Sequence, residues 1–156
     1  MSSKAPANKA KVLRVPKYGL VYLVKKGDKL ESVVFPIQGK GLWSTLYGYM
    51  ALESDINTIK GITFYQDGET PGLGGEINNP NWKALWVGRK AFDNQGEPAI
   101  QVIKGQAPPA EKAPFKVDGL SGATITSRSV TYLVQFWLGA SGFGPYLKNL
   151  RDKSGS

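Results

Sequence analysis

The sequence predicts an α+β domain in which an antiparallel sheet is flanked by helices, and three observations predict it. Apolar residues alternate through the first half of the chain, with short turn-rich connections, as in strands paired to their sequence neighbours. One stretch near the C-terminus instead repeats its apolar residues at helical spacing. A middle stretch crowded with Gly, Pro and Asn belongs to neither pattern. At 156 residues and 41% hydrophobic content, the chain suits one compact domain.

Residues 1–17 carry Ala, Pro and Lys without apolar periodicity, so they read as a basic linker or disordered segment ahead of a folded domain over 18–156. A short first strand is expected at 12–15. Residues 20–24 form an apolar run, Gly27-Asp28 supplies a turn, and Val33, Phe35 and Ile37 alternate along the next strand; together they predict a hairpin. Strands follow at 47–52 and 58–65, separated by Glu53-Ser54-Asp55. Four successive strands with short connections predict the antiparallel sheet. Residues 68–75, with Asn78-Asn79-Pro80, are dense in turn formers, which either bring backbone close to a ligand or make a long surface turn. Asn79 and Pro80 begin a short helix through 82–87, and Gly88 ends it. A later strand is expected at 99–104, followed by a Pro- and Ala-rich loop over 105–114. The clearest helix comes after Ser121-Gly122-Ala123-Thr124: Val130, Leu133, Val134, Trp137 and Leu138 make one apolar stripe, and Gly139 is a fitting stop.

With no Cys and no His, the chain has no Cys/His zinc site, no thiol–disulfide couple, no Cys nucleophile and no Ser-His-Asp triad. Its chemistry must run on carboxylates, hydroxyls, lysines, metal–oxygen ligands or a borrowed cofactor. The formal charge of +8 is unevenly placed. Residues 1–29 hold eight basic residues against Asp28, while the remainder holds 12 basic and 11 acidic residues. A nucleic-acid surface needs basic residues clustered on the folded body, so a solvated linker is the preferred reading of the basic front, with contact to a lipid surface as its functional alternative. No window reaches the roughly 18 apolar residues that cross a bilayer.

Ser121, Thr124, Thr126 and Ser127 crowd the start of the C-terminal helix. The first amides of a helix lack intrahelical partners and its N-terminal end is partly positive, so a phosphate can be bound there. On composition and spacing alone, capping of the helix by Ser or Thr is the commoner explanation.

The run Asp118-Gly119-Leu120-Ser121-Gly122-Ala123-Thr124 resembles the flavinylation motif of FMN-binding domains. Three further stretches narrow the resemblance: Gly39-Lys40-Gly41-Leu42-Trp43-Ser44, Gly68-Glu69-Thr70-Pro71-Gly72-Leu73-Gly74-Gly75-Glu76, and Gly142-Phe143-Gly144-Pro145-Tyr146-Leu147. In order and over residues 18–151, they are similar to the NqrC family, the C subunits of the sodium-translocating NADH:quinone oxidoreductase. The RnfG-type flavin subunit of the Rnf electron-transport complex is the nearest alternative, and a basic module binding phosphate or lipid surfaces is the alternative of another class.

The resemblance implies that Thr124 carries FMN through a phosphoester bond, made by a separate flavin transferase that uses FAD and magnesium. It implies that Ser121, Gly122, Ala123 and Thr126 offer donors to the phosphate, that Asp118 fixes the loop or assists modification, and that Gly119 is among the cofactor-binding residues. For the flavin ring it points to Gly41, Leu42, Trp43 and Ser44, and to Glu69, Thr70, Gly72 and Leu73. Lys104 corresponds to a family lysine near the flavin, where a cation favours the reduced anionic form and raises the potential. The implied whole is an electron carrier without turnover of its own, within a NADH:quinone reductase. It works beside the B, D and E subunits at the extracytoplasmic face of a bacterial inner membrane, is held there by a preceding N-terminal helix, and has no nucleic-acid partner. Read one at a time, Trp43 and Leu73 are ordinary core residues, Asp118 is a turn former and Lys104 is a solvated strand end.

Overall fold

The computed structural model describes residues 2–4, 8–12, 14–16 and 20–154. Four antiparallel strands lie in sequence order: β3 (Tyr22–Lys26), β4 (Lys29–Lys40), β5 (Thr45–Glu53) and β6 (Ile59–Gln66). Ahead of them β1 (Ser2–Lys4) pairs with β2 (Arg14–Pro16). The first-strand expectation at 12–15 is thus met by a strand that starts two residues later; Leu13, and the linker boundary at 17/18, fall outside the described residues. The front segment also reaches the core, since Ala10 and Val12 are buried in it.

Alternation decides which face of the sheet is covered. In β4 and β5, Val33, Phe35, Ile37, Leu46, Met50 and Leu52 point inward, while Tyr47, Tyr49 and their neighbours stay half exposed on the other side. Helix α2 (Thr124–Leu138) covers the inner face with the expected stripe of Val130, Leu133, Val134, Trp137 and Leu138. Its contact with β4 is close: a Cβ on Gly39 would lie 2.5 Å from Leu133 Cβ, and the Trp137 indole donates to Gln38 O at 2.7 Å.

The connections differ from the sequence expectation in four places. The glycine-rich stretch contains a 3₁₀ turn at Gly74–Asn78 rather than loop alone. Helix α1 (Pro80–Ala84) is shorter than expected: the Asn79 side chain accepts Asn81 N–H at its start, and a turn carries the chain to Gly88. The strand expected at 99–104 shrinks to β7 (Gln101–Val102), which pairs in parallel with an unanticipated β8 (Lys116–Val117). A third helix, α3 (Gly144–Ser154), closes the chain and seals the core with Leu147.

Because α2 rests against bare backbone at Gly39, Gly39→Ala should lower stability by about 1–3 kcal/mol. Denaturant unfolding measures this; an unchanged midpoint would mean that the helix and strand are not in close contact.

Candidate functional site

The glycine-rich loop after β6 turns Glu69 into the protein, where it is 6% exposed. Its carboxylate accepts three successive backbone amides from the loop between β4 and β5: Leu42 at 2.8 Å, Trp43 at 2.9 Å and Ser44 at 3.0 Å. The hydroxyls of Ser44 at 3.0 Å and Thr126 on α2 at 2.9 Å complete the set. Successive amides facing one anion form a backbone nest, and here the anion belongs to the protein. Burial alone pushes the Glu69 carboxyl up, but the Trp43 and Leu42 amides with the Thr126 and Ser44 hydroxyls outweigh it and hold the group below its ordinary value.

Two glycines make room for this arrangement. A Cβ at Gly41 would stand 2.6 Å from Glu69 Oε1, and one at Gly74 would stand 2.6 Å from Thr126 Oγ1. Since the amides of residues 42–44 turn inward, the side chains of Leu42 and Trp43 point out, 42% and 70% exposed. Leu73 joins them at 45%.

These outward side chains line one cleft of about 210 Å³ with Thr70, Gly74, Gly122, Ala123 and Thr126. A second, larger cavity of about 560 Å³ shares Gly122 with it and is lined by Lys104, Gly105, Gln106, Asp118, Gly119, Ser121 and Thr124. The two meet at Gly122, whose φ of +70° lets the chain turn into α2. Asp118 Oδ1 accepts Ala107 N–H at 2.9 Å and its carbonyl accepts the Trp82 indole at 2.9 Å, so this residue ties the 105–107 loop to the start of α2.

Among the described residues no hydroxyl caps α2. Its cap residue is Ala123, with no side-chain hydrogen bond to the first turn. Ser127 Oγ instead accepts Leu120 N–H, and the Thr126 hydroxyl donates to Glu69. Ser127 N–H bonds back to Ala123 O, leaving the amides of 124–126 without an intrahelical acceptor. Thr124 is exposed and its hydroxyl bonds to none of the described residues.

The residues singled out from the sequence therefore fall into three groups. Thr124, Asp118, Gly119, Ser121, Gly122 and Lys104 meet around the larger cavity. Leu42, Trp43, Thr70, Leu73 and Ala123 line the smaller cleft. Glu69, Ser44 and Gly41 lie behind the cleft wall, with the Glu69 and Ser44 side chains bonded to each other; Gly72 sits in an exposed turn lining neither space. Thr126 borders the cleft but its hydroxyl is committed to Glu69. Sequence reasoning missed Arg128, which lines the larger cavity one helical turn after Thr124; the i, i+4 spacing was the available signal.

The folded-state Glu69 value lies below its unfolded one, so its stabilisation is complete above the ordinary 4.5 and is lost as pH falls through the lower folded-state value. The amide shifts of Leu42, Trp43 and Ser44 should accordingly titrate together below pH 4.5. Glu69→Gln should remove that titration and cost about 2–4 kcal/mol, because an amide cannot accept all five donors. Midpoints at or above 4.5, or three unrelated ones, would contradict the clamp.

The family model described as FMN-binding domain matches residues 41–139. The chain is 53% identical over 148 residues to the C subunit of the Na(+)-translocating NADH-quinone reductase of Vibrio anguillarum, covering 95% of this chain and 57% of that protein. To the protein of the same name from Pseudomonas aeruginosa it is 54% identical over 143 residues, covering 91% and 55%. The crystal structure of Shewanella oneidensis NqrC matches with a TM-score of 0.90 at 41% identity, over 97% of this chain and 69% of that chain. The chain spans a little over half the length of these curated relatives. It belongs to the FMN-binding domain family, in the branch formed by the C subunits of the Na(+)-translocating NADH-quinone reductase.

Proposed function

We propose that this chain is the flavin-bearing portion of such a C subunit, that FMN is held on the Thr124 hydroxyl as a phosphoester, and that it relays electrons inside the sodium-translocating complex. The observation that carries the reading is the exposed, unbonded Thr124 hydroxyl in the first turn of a helix whose cap is Ala123. The residues present fit the cofactor. The amides at 124–126, which have no acceptor among the described residues, suit a phosphate, and the exposed Trp43, Leu42 and Leu73 supply the apolar surface that a flavin ring can cover.

FMN supplies the redox chemistry, which no side chain of this chain can perform. The protein's own part is to hold and orient. Ser121, Gly122 and Ala123 present backbone and a hydroxyl at the phosphate end; Asp118 keeps the 105–107 loop beside it. Trp43, Leu42 and Leu73 would form one wall for the ring, Thr70 would supply a hydrogen-bonding group to it, and Lys104, which lines the larger cavity, would supply a cation. Glu69 and Thr126, grouped with the ring and phosphate contacts on sequence grounds, are here given a positioning role, since their polar atoms are spent on each other and on the 42–44 backbone.

Attachment by a flavin transferase, an extracytoplasmic setting with a preceding membrane helix, and electron exchange with the B, D and E subunits complete the reading. A tether has a physical rationale in that setting. FMN released outside the cell would be diluted away, whereas a covalent link keeps it at high effective concentration in either redox state.

Co-expression with a flavin transferase should add one FMN less one water to the intact mass, and Thr124→Ala should abolish the addition. Modification mapping to another residue, or none with active transferase present, would overturn the assignment. In the flavin-loaded chain, Lys104→Ala should lower the potential by roughly tens of millivolts through loss of a nearby cation. A redox titration with no shift in either one-electron step would remove Lys104 from the ring's surroundings.

A further inference from the structure

Helix N-termini ordinarily carry acidic residues, because the partial positive charge of the aligned peptides favours them. The first turn of α2 carries none. Arg128 lies one turn further on, at i+4 from Thr124, exposed and lining the same cavity, with Lys104 on another part of its wall. Among the described residues neither cation has a carboxylate within ion-pair distance. Asp118 also lines the cavity and offsets one of the two cationic charges, with one of its carboxylate oxygens accepting Ala107 N–H. The helix start and the two cations thus leave this end of the cavity with positive charge that the protein itself does not fully neutralise.

We propose that Arg128 is the phosphate-binding cation of the site: its guanidinium pairs with the phosphate that Thr124 carries and holds the same phosphate while the bond is made. The inference rests on the Thr124 reading and adds to it a residue that neither the motif nor the ring contacts include. A cation at the phosphate favours the chemistry. When the Thr124 oxygen attacks the flavin-side phosphorus of a flavin dinucleotide, the oxygen–phosphorus bond forms, the hydroxyl proton leaves, and the phosphoanhydride breaks to release a nucleoside monophosphate. The phosphorus centre gains negative charge on the way and keeps one as a diester. A guanidinium one turn below the attacking oxygen can donate two parallel hydrogen bonds to it, which an ammonium cannot. Lys104 is left free for the ring.

Two readouts test this on the whole chain: the initial rate of FMN addition by a flavin transferase with FAD and magnesium, followed by intact mass, and the rise in thermal midpoint that addition produces. Arg128→Gln should slow labelling about tenfold and shrink the rise, Arg128→Glu should do both more strongly, and Arg128→Lys should recover part of each. Lys60→Gln, which removes an equal charge from the exposed side of β6, should leave both unchanged. Labelling of Arg128→Gln within twofold of the parent overturns the proposal while leaving Thr124 in place. A slowed rate with an unchanged midpoint rise overturns it as well, because Arg128 would then serve the modifying enzyme and not the bound phosphate. Failure of the unsubstituted chain to label overturns the Thr124 reading, and this inference falls with it.

Discussion

The site depends on one buried carboxylate. Glu69 gives up its hydration to sit at 6% exposure, a cost of several kcal/mol for an unpaired charge in a protein interior. Three backbone amides and two hydroxyls replace the lost water. Among the described residues no cation pairs with it, so the interaction is directional: it specifies where each donor must stand. The donors come from two elements distant in sequence, the loop between β4 and β5 and the first turns of α2, and Glu69 lies on a third.

From that constraint the shape of the surface follows. Amides drawn toward the carboxylate force Leu42 and Trp43 outward, which explains large apolar side chains left in solvent beside a cleft. Thr126 is fixed by the same group, and with it the start of α2 relative to the cleft wall. The exposed Thr124 two residues earlier is thereby held at a set distance from Trp43 and Leu73. A domain whose electron chemistry is supplied by FMN needs this kind of rigidity more than it needs reactive side chains, which accords with the absence of Cys and His. The charge acquires a local meaning too. The excess of basic residues lies ahead of residue 30, whereas the two cations that line the larger cavity, Arg128 and Lys104, belong to the nearly neutral remainder.

Periodicity made the sheet and α2 legible, because each is a local pattern of burial: alternation in β4 and β5, a stripe in α2. What escaped was set by tertiary contact. The parallel pairing of β7 with β8 involves two residues on each side, too few for a pattern. Helix α3 begins at Gly144-Pro145, a stretch that carried no helix expectation, although Pro suits the first turn of a helix. Within the site, motif resemblance singled out residues that line two adjoining spaces, but not what each of them touches. Glu69 and Thr126 are 57 positions apart, and nothing in a sequence says whether a carboxylate faces a ligand or the protein's own amides. The same holds for the hydroxyl cluster: Ser127 and Thr126 are spent on Leu120 N–H and Glu69, so neither caps the helix, and Ala123 stands where a Ser or Thr cap was expected.

Under the proposed function, the cleft at Trp43 and the cavity at Thr124, joined through the Glu69 clamp, form one flavin site. A crystal structure of the flavin-loaded chain tests this most directly. The expected result is phosphorus bonded to Thr124 Oγ at the start of α2, the ring against Trp43 and Leu73, and the five Glu69 hydrogen bonds unchanged. A ring seated away from that wall, or a Glu69 carboxylate turned out to meet the flavin, would contradict it.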